Sequence, residues 1–357
     1  MSKILEILKE VKESGIKNIY KKNIENVLGA LTKTTDFWKM IDYSNIPVPY
    51  AAKIIEILKN KGIVEIKNDE IILTPLGLEI IKEEGVSAIK KELRCEACQG
   101  RTIPFYKDIE LYRTFVELQK DRPKAIQDFD QGSVTPETTI ARVLFIDSKG
   151  DLEGKNIIVM GAEDDLTGLA IALTRKFKKL LIIDIDERLI EFDNKIIKEL
   201  GIENVEAKVW DLRNPYPEDM LGQFDVFITD PPETFIAFKA FIERGIATIK
   251  DEGGSGYFGL TLRDSSIFRW KKFQKELLDI GCVITDIIQD FNDYMNWDYH
   301  EETKAQKVAP VNKKPQDIWY RSAWYRIEVL PGFKRVNEQI PQEIFDKLYL
   351  DEEGSTT

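Results

Sequence analysis

The stretch NIIVMGAEDDLT, residues 156–167, decides the fold. A continuous apolar run followed at once by a glycine and a helix-opening threonine reads as a strand buried on both faces. Such strands belong to parallel sheets covered by helices. The same order repeats downstream: KLLIIDID at 179–186 before a helix to Leu200, VEAKVWD at 205–211, FDVFITDPP at 224–232 before a helix over 235–249, then GYFGLTL at 256–262. Strands alternating with helices predict an α/β chain with a doubly wound sheet. The alternation then stops. CVITDIIQDF (282–291) and SAWYRIEVL (322–330) have no helix between them, which predicts an antiparallel pair at one edge. The polar stretch 292–317 that joins them is long for a plain connection and is expected to be a lid or a mobile segment.

Upstream the periodicity is different. Within residues 1–90, Ile54, Ile55 and Leu58 share one helix face, Gly62 ends that helix, and two short strands flank Asn68-Asp69 before a helix that opens after Thr74-Pro75. Helix, strand, turn, strand and helix is the order of a winged-helix-like domain. Its candidate recognition helix carries Lys53, Glu56 and Lys59 and no arginine, a thin basic stripe for DNA. A packing or dimerisation module is the favoured reading. Residues 91–140 read as a connector with a CxxC and the ordered loop DFDQGSVTPETT on the substrate side, and residues 141–357 as the catalytic domain. Cys95 and Cys98 lack the second pair that a structural zinc site requires, so a disulfide or a pair of thiols in a turn is expected, and no metal.

Composition narrows the function. The 357 residues hold 51 Lys and Arg against 62 Asp and Glu, a net charge of −11, which disfavours nucleic acid and attracts polycations. Enrichment in Lys, Glu and Ile points to a thermophile. The absence of a long apolar run and of a signal-peptide layout points to a cytoplasmic protein without a membrane partner. With His300 the one histidine, histidine-based catalysis is not expected.

In an open α/β sheet, ligands bind beyond the carboxyl ends of the strands, near the switch in strand order. Four such ends carry carboxylates: Gly161 with Glu163, Asp164 and Asp165; Asp184 with Asp186; Asp211; and Asp230 with Pro231, Pro232 and Glu233. Asp184 or Asp186 lies where a carboxylate can hold ribose hydroxyls, and Asp211 where one can accept from an adenine amino group.

This order, with its terminal antiparallel pair, resembles the Rossmann-like fold of class I S-adenosylmethionine-dependent methyltransferases. Asp230-Pro231-Pro232 is similar to the (D/N)PP(Y/F) step of those that modify an amino nitrogen, although Glu233 stands where an aromatic residue is expected. Acidic residues also replace the glycine-rich first loop. Two like charges about 4 Å apart repel by roughly 4 kcal/mol at an effective dielectric of about 20, so this loop should reject a cofactor carboxylate and tolerate an amine. The GAEDDLT segment, DPPET and the DFDQGSVTPETT loop together resemble the branched-chain polyamine synthases of thermophilic archaea and bacteria, whose Gly-Asp-Asp-Asp signature reads Ala162-Glu163-Asp164-Asp165 here.

That resemblance implies aminopropyl transfer from decarboxylated S-adenosylmethionine, a co-substrate rather than a tightly bound cofactor, to the central nitrogen of spermidine. Asp164 or Asp165 is then the catalytic carboxylate. Gly161, Glu163, Asp184, Asp186, Asp211 and Asp230 would bind the nucleoside donor, and Asp230, Pro231, Glu233 and Tyr294 the polyamine. Tyr294, Trp297 and Tyr299 either close over the polyamine or pack their loop onto the body. Asp128, Asp130 and Glu137 either add to an acidic substrate channel or are turn and cap residues, and a homodimer is compatible with the N-terminal module. Two rivals stay open: an N-methyltransferase acting on nucleic acid or protein, and a non-catalytic DNA-binding regulator that senses a nucleotide.

Overall fold

The computed structural model describes residues 2–349 and 351–356. The chain opens with four helices, Lys3–Glu13, Lys21–Leu31, Phe37–Ser44 and Val48–Asn60, followed by the strands β1 (Val64–Lys67) and β2 (Glu70–Leu73) and the helix Pro75–Glu83. Asn68 and Asp69 join β1 to β2 with φ of 51° and 61°. Two consecutive positive φ angles make the tight hairpin whose twist matches its strands, and Asn and Asp tolerate that backbone well.

The remaining strands are β3 (Asn156–Met160), β4 (Lys179–Asp184), β5 (Val205–Val209), β6 (Val226–Thr229), β7 (Ser255–Leu260), β8 (Cys282–Asp293) and β9 (Arg321–Val329). They form one seven-stranded sheet in the order β5-β4-β3-β6-β7-β9-β8. The strands from β5 to β7 are parallel, and β9 enters antiparallel between β7 and β8. This is a mostly parallel α/β sheet. The strand order reverses between β3 and β6, so the helices after these strands lie on opposite faces and a crevice opens at their carboxyl ends. Apolar side chains fill both faces. Ile157 and Val159 of β3 point to one core, and Ile158 and Met160 to the other, the alternation that pleating imposes.

A third core joins the two ends of the chain. Trp38, Met40, Ile54 and Leu58 of the N-terminal helices pack in one cluster with Tyr294, Trp297, Ala305, Val311, Trp319 and Tyr320. Segment 292–317, expected to be a lid or mobile, is instead a packed bridge. His300 is buried there, edge-on to Trp38 at 4.7 Å. Polar groups fasten the same joint. A bulge in β8 turns Asp290 into the left-handed region, φ 50°, and aims its carboxylate at Arg263, Lys91 and Arg94. Arg263 also holds Asp42 at 2.7 Å, and Arg321 bridges Asp42 and Asp293. Cys95 and Cys98 are free thiols in the connector. Among the described residues no helix is long and apolar enough to cross a membrane.

Candidate active site

Two adjoining cavities lie at the carboxyl ends of β3, β4 and β6. The larger spans about 720 Å³, open in part to solvent, and among the described residues its wall includes five carboxyl side chains, Asp130, Asp164, Asp184, Asp230 and Glu233, and no lysine, arginine or histidine. The smaller, about 410 Å³, is walled by Trp210, Asp211, Leu212, Arg213, Ile340 and Leu348, and shares Gly161, Asp184, Ile185, Phe241 and Tyr349 with its neighbour. Gly161 stands at the junction with φ +55°, and a Cβ there would meet the Phe241 ring at 2.8 Å. Both the backbone and the space require glycine.

The three consecutive acids after β3 point in three directions, because a 3₁₀ turn rotates each residue about a third of a circle from the last. Asp164 alone of the three faces the cleft. Its Oδ2 accepts the Gly132 N–H at 2.8 Å. Asp165 is turned sideways, accepting from Arg142 at 2.6 Å and from the Val134 N–H at 2.7 Å. Glu163 points into the protein and accepts the Gly168 N–H. The repulsion expected from three carboxylates in this loop therefore falls to one of them, reinforced by Asp184 and Asp230 from neighbouring strands.

Arg142 was not singled out in the sequence. It sits mid-helix in Pro136–Ser148, far ahead of β3, where one more arginine carries no signal. Wholly buried, it donates to Asp165, to Asp230 at 2.8 Å and to Asn292 at 2.8 Å, and its guanidinium lies 4.6 Å over the Trp324 ring. Burial opposes its charge, but Asp165 and Asp230 outweigh that and fix it as a cation. Asp230 also accepts from Tyr294 Oη at 2.8 Å. Of the cleft carboxylates, Asp230 is thus held by two protein donors before any ligand arrives.

Among the described residues none of the others is ion-paired as Asp230 is to Arg142. Burial first, then Asp165, Asp184 and Asp230, raises Asp164 well above the usual carboxylate range. Burial, then Asp264 and Asp130, does the same to Glu233. Burial and Asp264 push Asp130 up to about 8, although the Thr356 hydroxyl bonds it. Burial raises Asp184 to about 6 against the backbone N–H groups of Asp186 and Glu163. These shifts share one dominant cause: carboxyls gathered in a partly dry crevice, where burial and mutual repulsion outweigh nearby cations such as Arg122, which faces Asp164 and Asp165.

Other expected residues fall into place as follows. Pro231, Glu233 and Tyr294 line the larger cavity. Asp211 lines the smaller one, engaged by the Arg213 backbone and guanidinium. Asp186 lines neither. It caps the helix Glu187–Glu199 and holds Arg188 and Gln131. Asp130 belongs to the cleft, whereas Asp128 is exposed and Glu137 accepts from Tyr112. Trp297 and Tyr299 both donate to the Gln131 carbonyl, clamping the loop that presents Asp130 and Gly132. A Cβ on Gly132 would lie 2.9 Å from Trp297 Nε1. The aromatic residues therefore both pack their segment and shape the cleft. Phe129, Phe241, Tyr320 and Tyr349 complete the wall and were missed, each being an ordinary apolar residue in sequence.

Comparison with known proteins adds the following. Residues 110–356 match the sequence model of the branched-chain polyamine synthase A C-terminal domain. The chain is 46% identical to the N(4)-bis(aminopropyl)spermidine synthase of Methanocaldococcus jannaschii over 352 residues, 98% of this chain and 99% of that protein. It is 44% identical to the synthase of the same description from Thermococcus kodakarensis, covering 99% of each. The crystal structure of the Thermus thermophilus branched-chain polyamine synthase, in complex with N4-aminopropylspermidine and 5'-methylthioadenosine, superposes with a TM-score of 0.90 at 35% identity, over 99% of this chain and 98% of that one.

Proposed function

The chain belongs to the branched-chain polyamine synthase family, and from that premise we propose how its residues carry the reaction. It is an aminopropyltransferase. It moves the aminopropyl group of decarboxylated S-adenosylmethionine to the central secondary amine of spermidine, giving N4-aminopropylspermidine and N4-bis(aminopropyl)spermidine, with methylthioadenosine released. The observation that carries this for the present chain is the cleft wall itself: five carboxyls and, among the described residues, no basic side chain. A polyamine and a sulfonium donor with a free amine supply the positive charge such a wall lacks.

The amine must lose a proton before its lone pair can attack the carbon beside the sulfonium. The new N–C bond forms as the C–S bond breaks, and the sulfonium leaves as a neutral thioether. Asp164 takes the proton. Its carboxyl is oriented by the Gly132 N–H, and its raised pKa brings it nearer to that of the amine, which eases the transfer. Asp165 and Arg142 stand behind it as support. Asp184, Asp211 and Gly161 hold the nucleoside of the donor in the smaller cavity, while Glu233 and Asp130 hold ammonium groups of the polyamine beside Tyr294 and Trp297. Asp230, already bonded to Arg142 and Tyr294, shapes the passage between the two.

The region 1–90 is read here as a winged-helix-like packing module, 91–140 as a connector, and 141–357 as the catalytic domain. Support for packing over DNA binding comes from the helix Val48–Asn60, where Lys53 pairs with Glu56 at 2.7 Å and Ile54, Ile55 and Leu58 are buried. Cytoplasmic residence and a homodimer complete the reading, the latter to be checked by light scattering. The decisive assay incubates the protein with decarboxylated S-adenosylmethionine and spermidine and identifies the products by mass spectrometry. Branched N4 products with matching methylthioadenosine are expected. Methyl transfer from intact S-adenosylmethionine to RNA, DNA or protein instead would carry the case to an N-methyltransferase.

A further inference from the structure

A carboxyl pair lies beneath the cleft, and the chemistry above does not use it. Glu163 and Asp193 are both wholly buried and face each other closely enough to share a hydrogen bond when one of them is protonated. Glu163 Oε1 accepts the Gly168 N–H at 2.5 Å, but Glu163 Oε2 and both oxygens of Asp193 meet no other donor. Among the described residues, a further charged group that faces them is Asp184 of β4, a carboxylate as well. Buried acceptors are almost always paired, and two ionised carboxylates in contact repel, so one of the two keeps its proton. Burial raises both carboxyls, Asp193 to about 7, and the contact with Asp193 lifts Glu163 further, far above its ordinary range, while the bond to Glu163 opposes the rise of Asp193. The proton therefore resides on Glu163 and is donated to Asp193.

The local sequence is built around this contact. A Cβ on residue 168 would come within 2.5 Å of Glu163 Oε1 and 2.7 Å of Ile182 Cγ1, so Gly168 is what lets the Glu163 carboxyl lie there. The pair also spans two elements of the site. Glu163 is the first residue of the turn after β3, and its N–H approaches Asp184 Oδ2 at 3.4 Å. Asp193 belongs to the helix Glu187–Glu199 that follows β4. Asp164, next to Glu163 in the turn, faces the opposite way into the cleft.

We propose that Glu163 and Asp193 are positioning residues that hold a single proton between them and so fasten the turn carrying Asp164 to the helix behind Asp184. Loss of that proton at alkaline pH places two adjacent negative charges beside Asp184 and drives the turn outward, withdrawing Asp164. An alkaline limb in kcat belongs, in this account, to the buried pair. The inference rests on Asp164 as the reacting carboxylate.

The test uses the full chain and two readouts. Infrared difference spectra between wild type and Glu163→Gln should show the loss of a protonated-carboxyl band at neutral pH, and this reads the proton whether or not Asp164 performs the chemistry. The amide of Glu163→Gln donates permanently to Asp193, so the alkaline limb of kcat should move up by about one pH unit or more. Asp193→Leu removes the acceptor and should lower kcat on the order of tenfold, with a smaller change in KM for spermidine. An unchanged infrared spectrum in Glu163→Gln would overturn the shared proton. A lost band with a pH profile that superimposes on wild type would overturn the positioning role. Should Glu163→Gln fail to fold, Asp193→Asn supplies the same amide donor from the other side and is read in the same two ways.

Discussion

Two clusters of carboxylates lie within this one chain, and they are built on opposite principles. At the joint between the N-terminal helices and the sheet, Asp42, Asp290 and Asp293 are met by Lys91, Arg94, Arg101, Arg263 and Arg321. Burial there opposes ionisation, yet the surrounding cations prevail, and Asp42 and Asp290 are held below the usual range. At the cleft, Asp184 is buried and Asp130, Asp164 and Glu233 are half-buried, none of the four is ion-paired among the described residues, and all four are raised. The first cluster is complete within the protein and acts as a fastening. The second is completed only by a polycationic ligand, and that deficit is what makes it a site.

The comparison can be broken most severely at Asp164. Asp164→Asn keeps the shape and the Gly132 contact but cannot take a proton, and kcat should fall about 10³-fold, followed as methylthioadenosine release. A loss below tenfold would assign the proton elsewhere. At the joint, Asp290→Asn should cost about 3–5 kcal/mol of unfolding free energy by denaturant titration, because Arg263 and Lys91 are left buried with half their counter-charge. Its effect on kcat of the folded enzyme should be small, the reverse of Asp164→Asn.

pH separates the clusters further. A carboxyl whose pKa is higher folded than unfolded binds more protons in the folded state, so its contribution to stability declines as pH rises. The free protein should lose stability from about pH 4 to about pH 8, at up to about 1.4 kcal/mol per pH unit for each group, until Asp184 (about 6) and then Asp130 (about 8) have ionised. Saturating spermidine should flatten that slope, since it balances the charge. A slope unaffected by spermidine would mean that the polyamine does not reach these carboxyls. The smallest effect is expected from Tyr294→Phe, which removes one of the two donors to Asp230. About 1 kcal/mol, or roughly fivefold in kcat/KM, is the anticipated change, with Arg142 still in place.

Much of the sheet was legible because buried parallel strands are continuous apolar runs, and the ends of β3, β4, β5 and β6 advertise their carboxylates in order. Direction was not legible. Glu163, Asp164 and Asp165 are equivalent in a string of letters, and only the 3₁₀ turn sends one to the cleft, one to Arg142 and one into the interior. Arg142 escaped notice because its acceptors come from distant segments, at 165 and 167, 230 and 292. The bridge 292–317 was misjudged because its charges obscure the widely spaced Tyr294, Trp297, Ala305 and Val311 that bury it against the N-terminal helices. Asp186 looked like a ribose ligand for want of any sign that Arg188 and Gln131 would occupy it.

The central claim is that the cleft is defined by negative charge awaiting a cation, and the most direct measurement is calorimetric titration with intact and decarboxylated S-adenosylmethionine in parallel. The account predicts tighter binding of the decarboxylated form on the order of a hundredfold, as a cofactor carboxylate must lie near Asp164 and Asp184. Equal affinity, or a preference for the intact molecule, would contradict it.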